Sequence, residues 1–236
     1  MKFYANLIFL FVCYLCLAQD FKEKAHILES VASLDILIAA ASDKKLVLLG
    51  EASHGTHEYY AWRDLISRRL IEQHDFNFIA VEGDFASLYE LNRYVKNKDG
   101  AANTAREVLL KLNRWPTWMW ANEEVVALAE WLRKHNDKLP DNNKIGFYGM
   151  DVYDEWRSKT EVLNFLKIHN TNLFNLVKEQ YSCFSPYIGD SWQYAKAVNF
   201  GRRSCSGATK NAVELIEKNK ITFQDITEDD YLYLLQ

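Results

Sequence analysis

The sequence predicts an α/β fold, a parallel sheet flanked by helices, and three observations carry that expectation. Short, nearly unbroken apolar runs recur at Leu46-Val47-Leu48-Leu49, Phe76-Asn77-Phe78-Ile79-Ala80-Val81 and Ile145-Gly146-Phe147-Tyr148-Gly149, as strands buried on both faces read. Each run is followed within two residues by an acid: Glu51, Glu82 and Asp151. Around the runs lie stretches with apolar residues at helical spacing. The resulting order β-α-β-α-α-α-β-α favours a parallel sheet wrapped by helices.

Residues 21–42 carry apolar positions at helical spacing (Ile27, Val31, Leu34, Ile38), and so do residues 57–73 (Tyr60, Leu65, Leu70, Ile71). Helices are expected over 86–97, 102–113 and 122–135, between the second and third strands, and over 155–169, 171–181 and 208–219 after them. Three parallel strands make a small sheet for so much helix. The chain stops at Tyr231-Leu232-Tyr233-Leu234-Leu235-Gln236, an apolar run with no Gly, Asn or Pro to end it. The domain is therefore expected to be incomplete at its C-terminus, with apolar surface exposed near residues 231–235. A terminal helix docked on the core is the alternative.

The chain has 236 residues, 49% of them apolar, enough for one α/β domain with a core. The net charge is −4 with acids and bases interspersed. No basic stripe points to nucleic acid and no acidic run to a disordered tail. With 9 Gly and 3 Pro, linkers and low complexity are not expected. At the N-terminus, Lys2 precedes the apolar run from Leu7 to Leu17, and Ala18 precedes polar Gln19-Asp20. Residues 1–18 therefore read as a secretory signal peptide, with an uncleaved anchor the weaker reading. Residues 19–236 form the exported domain, periplasmic or extracellular, with no stable membrane association after cleavage. The mature chain keeps Cys183 and Cys205, and export favours their pairing over two buried thiols. No feature of the sequence specifies an oligomeric state.

The chemistry concentrates in Gly50-Glu51-Ala52-Ser53-His54-Gly55-Thr56-His57-Glu58, a turn between the first expected strand and a helix. Ligands of open α/β sheets collect past the carboxyl ends of strands, and the flanking glycines permit positive φ or close approach. An imidazole beside a carboxylate is held in one tautomer and made more basic. That favours His54 with Glu51 as a reactive pair over a surface-loop histidine. Glu82 is read as functional for the same reason of position. Asp151 is balanced between function and capping the helix that follows. His57 opens a helix, where a histidine is more often merely exposed. Arg63 offers a fixed charge to an oxyanion or to Glu82, although a solvated Arg is the plainer reading.

Known motifs are absent from this turn. Gly50–Gly55 is one residue too long for the G-x-S-x-G elbow, and His57–Ala61 lacks the second histidine of H-E-x-x-H. Trp115, Trp118 and Trp120 cluster with Pro116 and Met119 between two expected helices. Such a loop suits a large apolar ligand, but core packing is the favoured reading.

Leu48 to Glu58 with Arg63, Ala80-Val81-Glu82-Gly83-Asp84, Trp115-Pro116-Thr117-Trp118-Met119-Trp120 and Gly146-Phe147-Tyr148-Gly149-Met150-Asp151 together resemble the erythromycin esterase family, over most of residues 27–205. The resemblance implies hydrolysis of a carboxylic ester, macrolactone-like, without metal or cofactor. It places His54 as the general base that activates water, with Glu51 and Glu82 supporting it and Arg63 supplying positive charge. His57, Trp120 and Asp151 are the expected substrate contacts. Family members include macrolide-resistance enzymes, and are usually longer, with a further His-containing motif in their second half. The chain thus resembles the N-terminal portion of a member, expected to show little turnover alone. The partner implied is a small-molecule ester. Two rival readings are a metal-dependent hydrolase using Glu51, His54 and Glu82, with few nitrogen or sulfur ligands for zinc, and an exported binding protein without catalysis.

Overall fold

The computed structural model describes residues 25–113, 116–151, 153–223 and 226–235. The expected signal peptide over residues 1–18 and Trp115 lie outside the described residues. The chain divides into two compact units at Phe76/Asn77.

In the first unit a 3-10 turn, Val31–Leu34, leads into α1 (Asp35–Ala41), and α2 spans His57–His74. The expected helix over 21–42 starts late, and Ile27 is 78% exposed. The core of this unit is Leu34, Ile38, Ala41, Ile66 and Leu70, with Val47 and Leu49 packed on it. Residues 46–49 are not a strand in a sheet. They keep a strand's alternation, with Val47 and Leu49 turned to the core and Leu46 and Leu48 exposed. Within this unit no ladder partner stands beside them among the described residues. Asp75 ends α2 in the left-handed region, φ 57°, a conformation Asp tolerates better than most residues.

The second unit holds the sheet, with two strands among the described residues: β1 (Phe78–Asp84) and β2 (Gly146–Asp151), parallel, with Phe78 opposite Gly146 and Val81 opposite Gly149. The crossover between them carries α3 (Phe85–Val95), α4 (Ala105–Leu109) and α5 (Glu123–Asn136). Parallel strands need such a crossover. The protein is thus mostly helical around a small, open, parallel sheet. The expected helix over 102–113 shrinks to five residues, capped by Thr104, whose hydroxyl accepts from Glu107 N.

Two buried asparagines finish the far edge of β2. Asn136, 0% exposed, donates from Nδ2 to the carbonyls of Val95 (2.8 Å) and Ile145 (2.9 Å), and its Oδ1 accepts from Ile145 N (2.7 Å). Asn92 Oδ1 accepts from Phe147 N (3.0 Å). These side chains do for the edge what a third strand would do, leaving those backbone groups paired. At the carboxyl end the strands close up on glycine. A Cβ on Gly149 would stand 2.5 Å from Gly83 O and 2.7 Å from Asp84 O, where the ladder is irregular between Val81 and Asp84.

Beyond the sheet come α6 (Glu155–His169), α7 (Thr171–Gln180), α8 (Ser191–Asn199), α9 (Ser206–Lys218) and α10 (Glu228–Leu235). Leu166, Leu173, Val177, Ala212, Ile216, Tyr231 and Leu234 form their core. Cys183 and Cys205 are disulfide-bonded, Cα atoms 5.9 Å apart, across 22 residues. The apolar surface expected near residues 231–235 is mostly covered: Tyr231 is 6% and Leu234 3% exposed, and only Leu232 is half exposed. The run satisfies helical spacing, so it docks as a helix. Tyr233 stacks on Tyr89 at 3.7 Å. A cavity of about 190 Å³ beside them is lined by Phe85, Tyr89, Tyr148, Asp229, Leu232 and Tyr233.

Charge also fastens α10. Lys96, 6% exposed, donates to Asp229 Oδ2 (2.7 Å) and to the Tyr148 hydroxyl (3.1 Å). Burial works against its charge, but these bonds win and hold its pKa above the ordinary 10.5. Asp230 accepts from the Tyr89 hydroxyl (2.8 Å) and from Thr227 (2.6 Å). Burial again opposes its charge, and the hydrogen bonds outweigh it, leaving the carboxyl below the ordinary 3.8. The raised lysine stabilises fully below its unfolded value and less as pH rises through the folded one; the lowered carboxyl stabilises above 3.8 and less as pH falls through its folded value. Stability should therefore fall at both extremes. Urea midpoints across pH are expected to show the acid-side loss shrink in Asp230→Asn; an unchanged acid limb would refute this assignment.

Candidate active site

In the first unit, Gly55 takes φ 76°, turning the chain from Glu51 into α2. Thr56 is the extended N-cap residue of α2, and its hydroxyl meets that of Ser53 at 2.9 Å. The fold of this turn brings together three of the expected residues. Glu51 Oε2 accepts from Arg63 Nη2 at 2.7 Å, and Glu51 Oε1 is hydrogen-bonded to His54 Nδ1. Arg63 is held in turn by Nε donating to Tyr59 O (3.3 Å) and by lying over the Tyr60 ring, 4.7 Å from its centroid. Glu51 is largely covered, 13% exposed at its side chain, whereas His54 is 40% exposed.

This arrangement decides a tautomer. A carboxylate only accepts hydrogen bonds, so the proton lies on Nδ1 and Nε2 is left as the acceptor. The imidazole is thereby oriented and partly open to solvent, as a general base must be. Arg63 pairs with Glu51, a partner the sequence did not offer it. From α2 it reaches back twelve residues and satisfies the second carboxylate oxygen. His57 is the exposed first residue of α2.

The second unit carries the other expected residues. Glu82 is exposed near the end of β1, and its carbonyl accepts from Trp120 Nε1 at 2.6 Å. Trp120 thus ties the loop before α5 to the strand end. Gly83 makes room for it: a Cβ there would stand 2.6 Å from Leu88 Cδ1 and 3.1 Å from the indole nitrogen. Met119 is buried while Trp118 is 46% exposed, so only part of this aromatic loop joins the core.

Asp151 does not cap the helix after β2. That cap is Asp154, whose Oδ1 accepts from Arg157 N at 2.9 Å. Asp151 stands opposite Asp84 in the ladder, and its Oδ2 is buried without a hydrogen-bond partner among the described residues. Asp84 is the acid that sequence reasoning passed over. Buried to 6%, it caps α3 through Ser87 N (2.9 Å) and Ser87 Oγ (2.8 Å), and its Oδ1 accepts from Asp154 N (3.1 Å). The signal was present as Asp-x-x-Ser just ahead of an apolar helical pattern. Among the described residues, no group of three or more His, Cys, Asp or Glu side chains is placed to hold a metal ion.

The first unit thus holds a carboxylate-bound imidazole on a Gly turn, and the second a parallel α/β sheet whose strands end on acids. A family model described as erythromycin esterase matches residues 71–236, and the chain belongs to that family. Glu82, Trp120 and Asp151 fall within the matched residues, while Glu51, His54 and Arg63 precede them. Among solved structures, a succinoglycan biosynthesis protein is similar at 22% identity and TM-score 0.67, over 90% of this chain and 51% of that one. A Bacillus cereus protein is similar at 21% identity and TM-score 0.63, over 87% of this chain and 50% of that one. The chain spans about half the length of both, and at these identities the likeness is one of fold.

Proposed function

We propose that this protein hydrolyses a carboxylic ester with water activated by His54. The single observation that carries the reading is the Arg63–Glu51–His54 relay, which fixes the imidazole with Nε2 as acceptor. In the reaction, Nε2 takes a proton from water as the oxygen attacks the ester carbonyl carbon. The tetrahedral intermediate then expels the alkoxide, which takes the proton back from the imidazolium. Glu51 stabilises the imidazolium, and Arg63 holds Glu51 in place.

Glu82 is proposed as a second carboxylate of the reaction, supported by its place near a strand's carboxyl end and by the family resemblance. Asp151 is proposed to accept a hydrogen bond from a substrate hydroxyl, which would satisfy its buried Oδ2. His57 and Trp120 are proposed as further substrate contacts, with Trp120 offering ring surface since its indole N–H is engaged. A macrolactone-like ester is the proposed substrate class, and the Leu7–Leu17 run before Ala18 supports a reaction outside the cytoplasm.

The test is turnover of a series of p-nitrophenyl esters by the 236-residue chain before and after chelation. The expected rate is low but measurable and is unchanged by EDTA, because the base acts directly on water. A rate abolished by chelation and restored by zinc would move the assignment to a metal-dependent hydrolase. Absence of turnover across the series would favour a binding protein.

A further inference from the structure

Helix α8 carries an exposed face that the proposed reaction does not use. Trp192 is 79% and Phe200 89% exposed, and Ile188, just before the helix, is 74% exposed. Trp192 and Lys196 lie at i and i+4 on α8, and Phe200, its C-cap residue, follows at i+8 with its N–H still bonded to Lys196 O (2.9 Å), so the three fall along one side about 12 Å long. Single exposed apolar residues are ordinary, but three large ones on and beside a single helix call for a partner. Lys196, Arg202 and Arg203 are also exposed, and none of them has an ion pair among the described residues. Asp190 is the one acid between residues 188 and 206, and its carboxylate is occupied as the cap of α8, accepting from Gln193 N at 2.8 Å. The stretch is therefore basic on a chain whose net charge is −4.

We propose that this face docks on an anionic phospholipid bilayer. Trp192, Phe200 and Ile188 enter the interfacial region, where Trp in particular is favoured. Lys196, Arg202 and Arg203 meet the headgroup phosphates. Charge selects this occupant. A second copy meeting the first through the same patch would bring like cations together, and the centres of protein interfaces are poor in lysine. The association is peripheral: no helix among the described residues is long and apolar enough to cross a membrane. It departs from the expectation that the cleaved protein leaves the membrane, and it is independent of the esterase reading.

Co-sedimentation of the 236-residue chain with vesicles decides it, using phosphatidylcholine alone and phosphatidylcholine with about one quarter phosphatidylglycerol. Binding to the anionic vesicles is expected to exceed binding to the neutral ones by roughly a hundredfold for three cations and to weaken with salt. The double variant Trp192→Ser/Phe200→Ser and the triple variant Lys196→Gln/Arg202→Gln/Arg203→Gln should each lose at least about tenfold. Both alter exposed side chains, so circular dichroism should remain that of the parent. Brominated lipids should quench tryptophan fluorescence less in Trp192→Phe. Equal binding to both vesicles, binding to neither, or variants that bind like the parent would overturn the proposal. So would a dimer in lipid-free solution that the double variant disperses.

Discussion

Replacing His54 with alanine is expected to lower ester turnover by about 10²–10⁴-fold, the usual contribution of a general base. The loss should fall on kcat, because the proton transfer matters in the transition state and not in ground-state binding. Glu51→Gln is expected to cost at least about tenfold by a different route. The amide can donate to Nδ1 and so stabilise the wrong tautomer, and it no longer neutralises Arg63 or the imidazolium. His54→Ala/Glu51→Gln should then be little worse than His54→Ala alone, because both residues act through one imidazole. The measurement is p-nitrophenyl ester kinetics on the four proteins. Additive losses in the double variant, or His54→Ala retaining the parental kcat, would refute the relay.

Replacing Asn136 with alanine is expected to destabilise the second unit by about 3–4 kcal/mol. The side chain is fully buried and serves three backbone groups: Val95 O, Ile145 O and Ile145 N. Alanine leaves all three without partners in the interior, each costing about 1–3 kcal/mol, partly offset as water enters or the backbone relaxes. Against total stabilities of about 5–15 kcal/mol, that is a large fraction. Asn143→Ala, at an exposed position in the 3-10 turn Asp141–Asn143, should change stability by about 0.5 kcal/mol or less. Urea denaturation of both variants checks this, and a loss below 1 kcal/mol in Asn136→Ala would show that the edge is satisfied in another way.

The parts of the fold legible in the sequence are those set by local patterning. The helix at His57–His74 and the helix at Glu155–His169 follow from spacing within their own turns. The Glu51–His54 pair was legible for the same reason, since i and i+3 across a Gly turn meet without help from the rest of the chain. Choices between distant partners were not legible. Arg63 had two plausible partners and took a third. Asp84 and Asp151 both end strands and stand opposite each other, yet Asp84 became the cap and Asp151 was left with an unpartnered oxygen. The Leu46–Leu49 run has a strand's composition and alternation, but a strand is defined by a neighbour, which composition cannot supply. Helix α8 escaped notice because its large apolar residues face outward, so no buried stripe marks it.

The asparagine-finished edge of β2 makes the sheet directional. On that side the Ile145 N–H and C=O are committed to Asn136 and the Phe147 N–H to Asn92, and a further strand could join there only by displacing buried side chains. A ladder that refuses a strand along one side cannot pass hydrogen-bonding order through itself from one molecule to the next. The same two side chains that hold β2 in place thereby stop the sheet from serving as a link in a continuous cross-β stack.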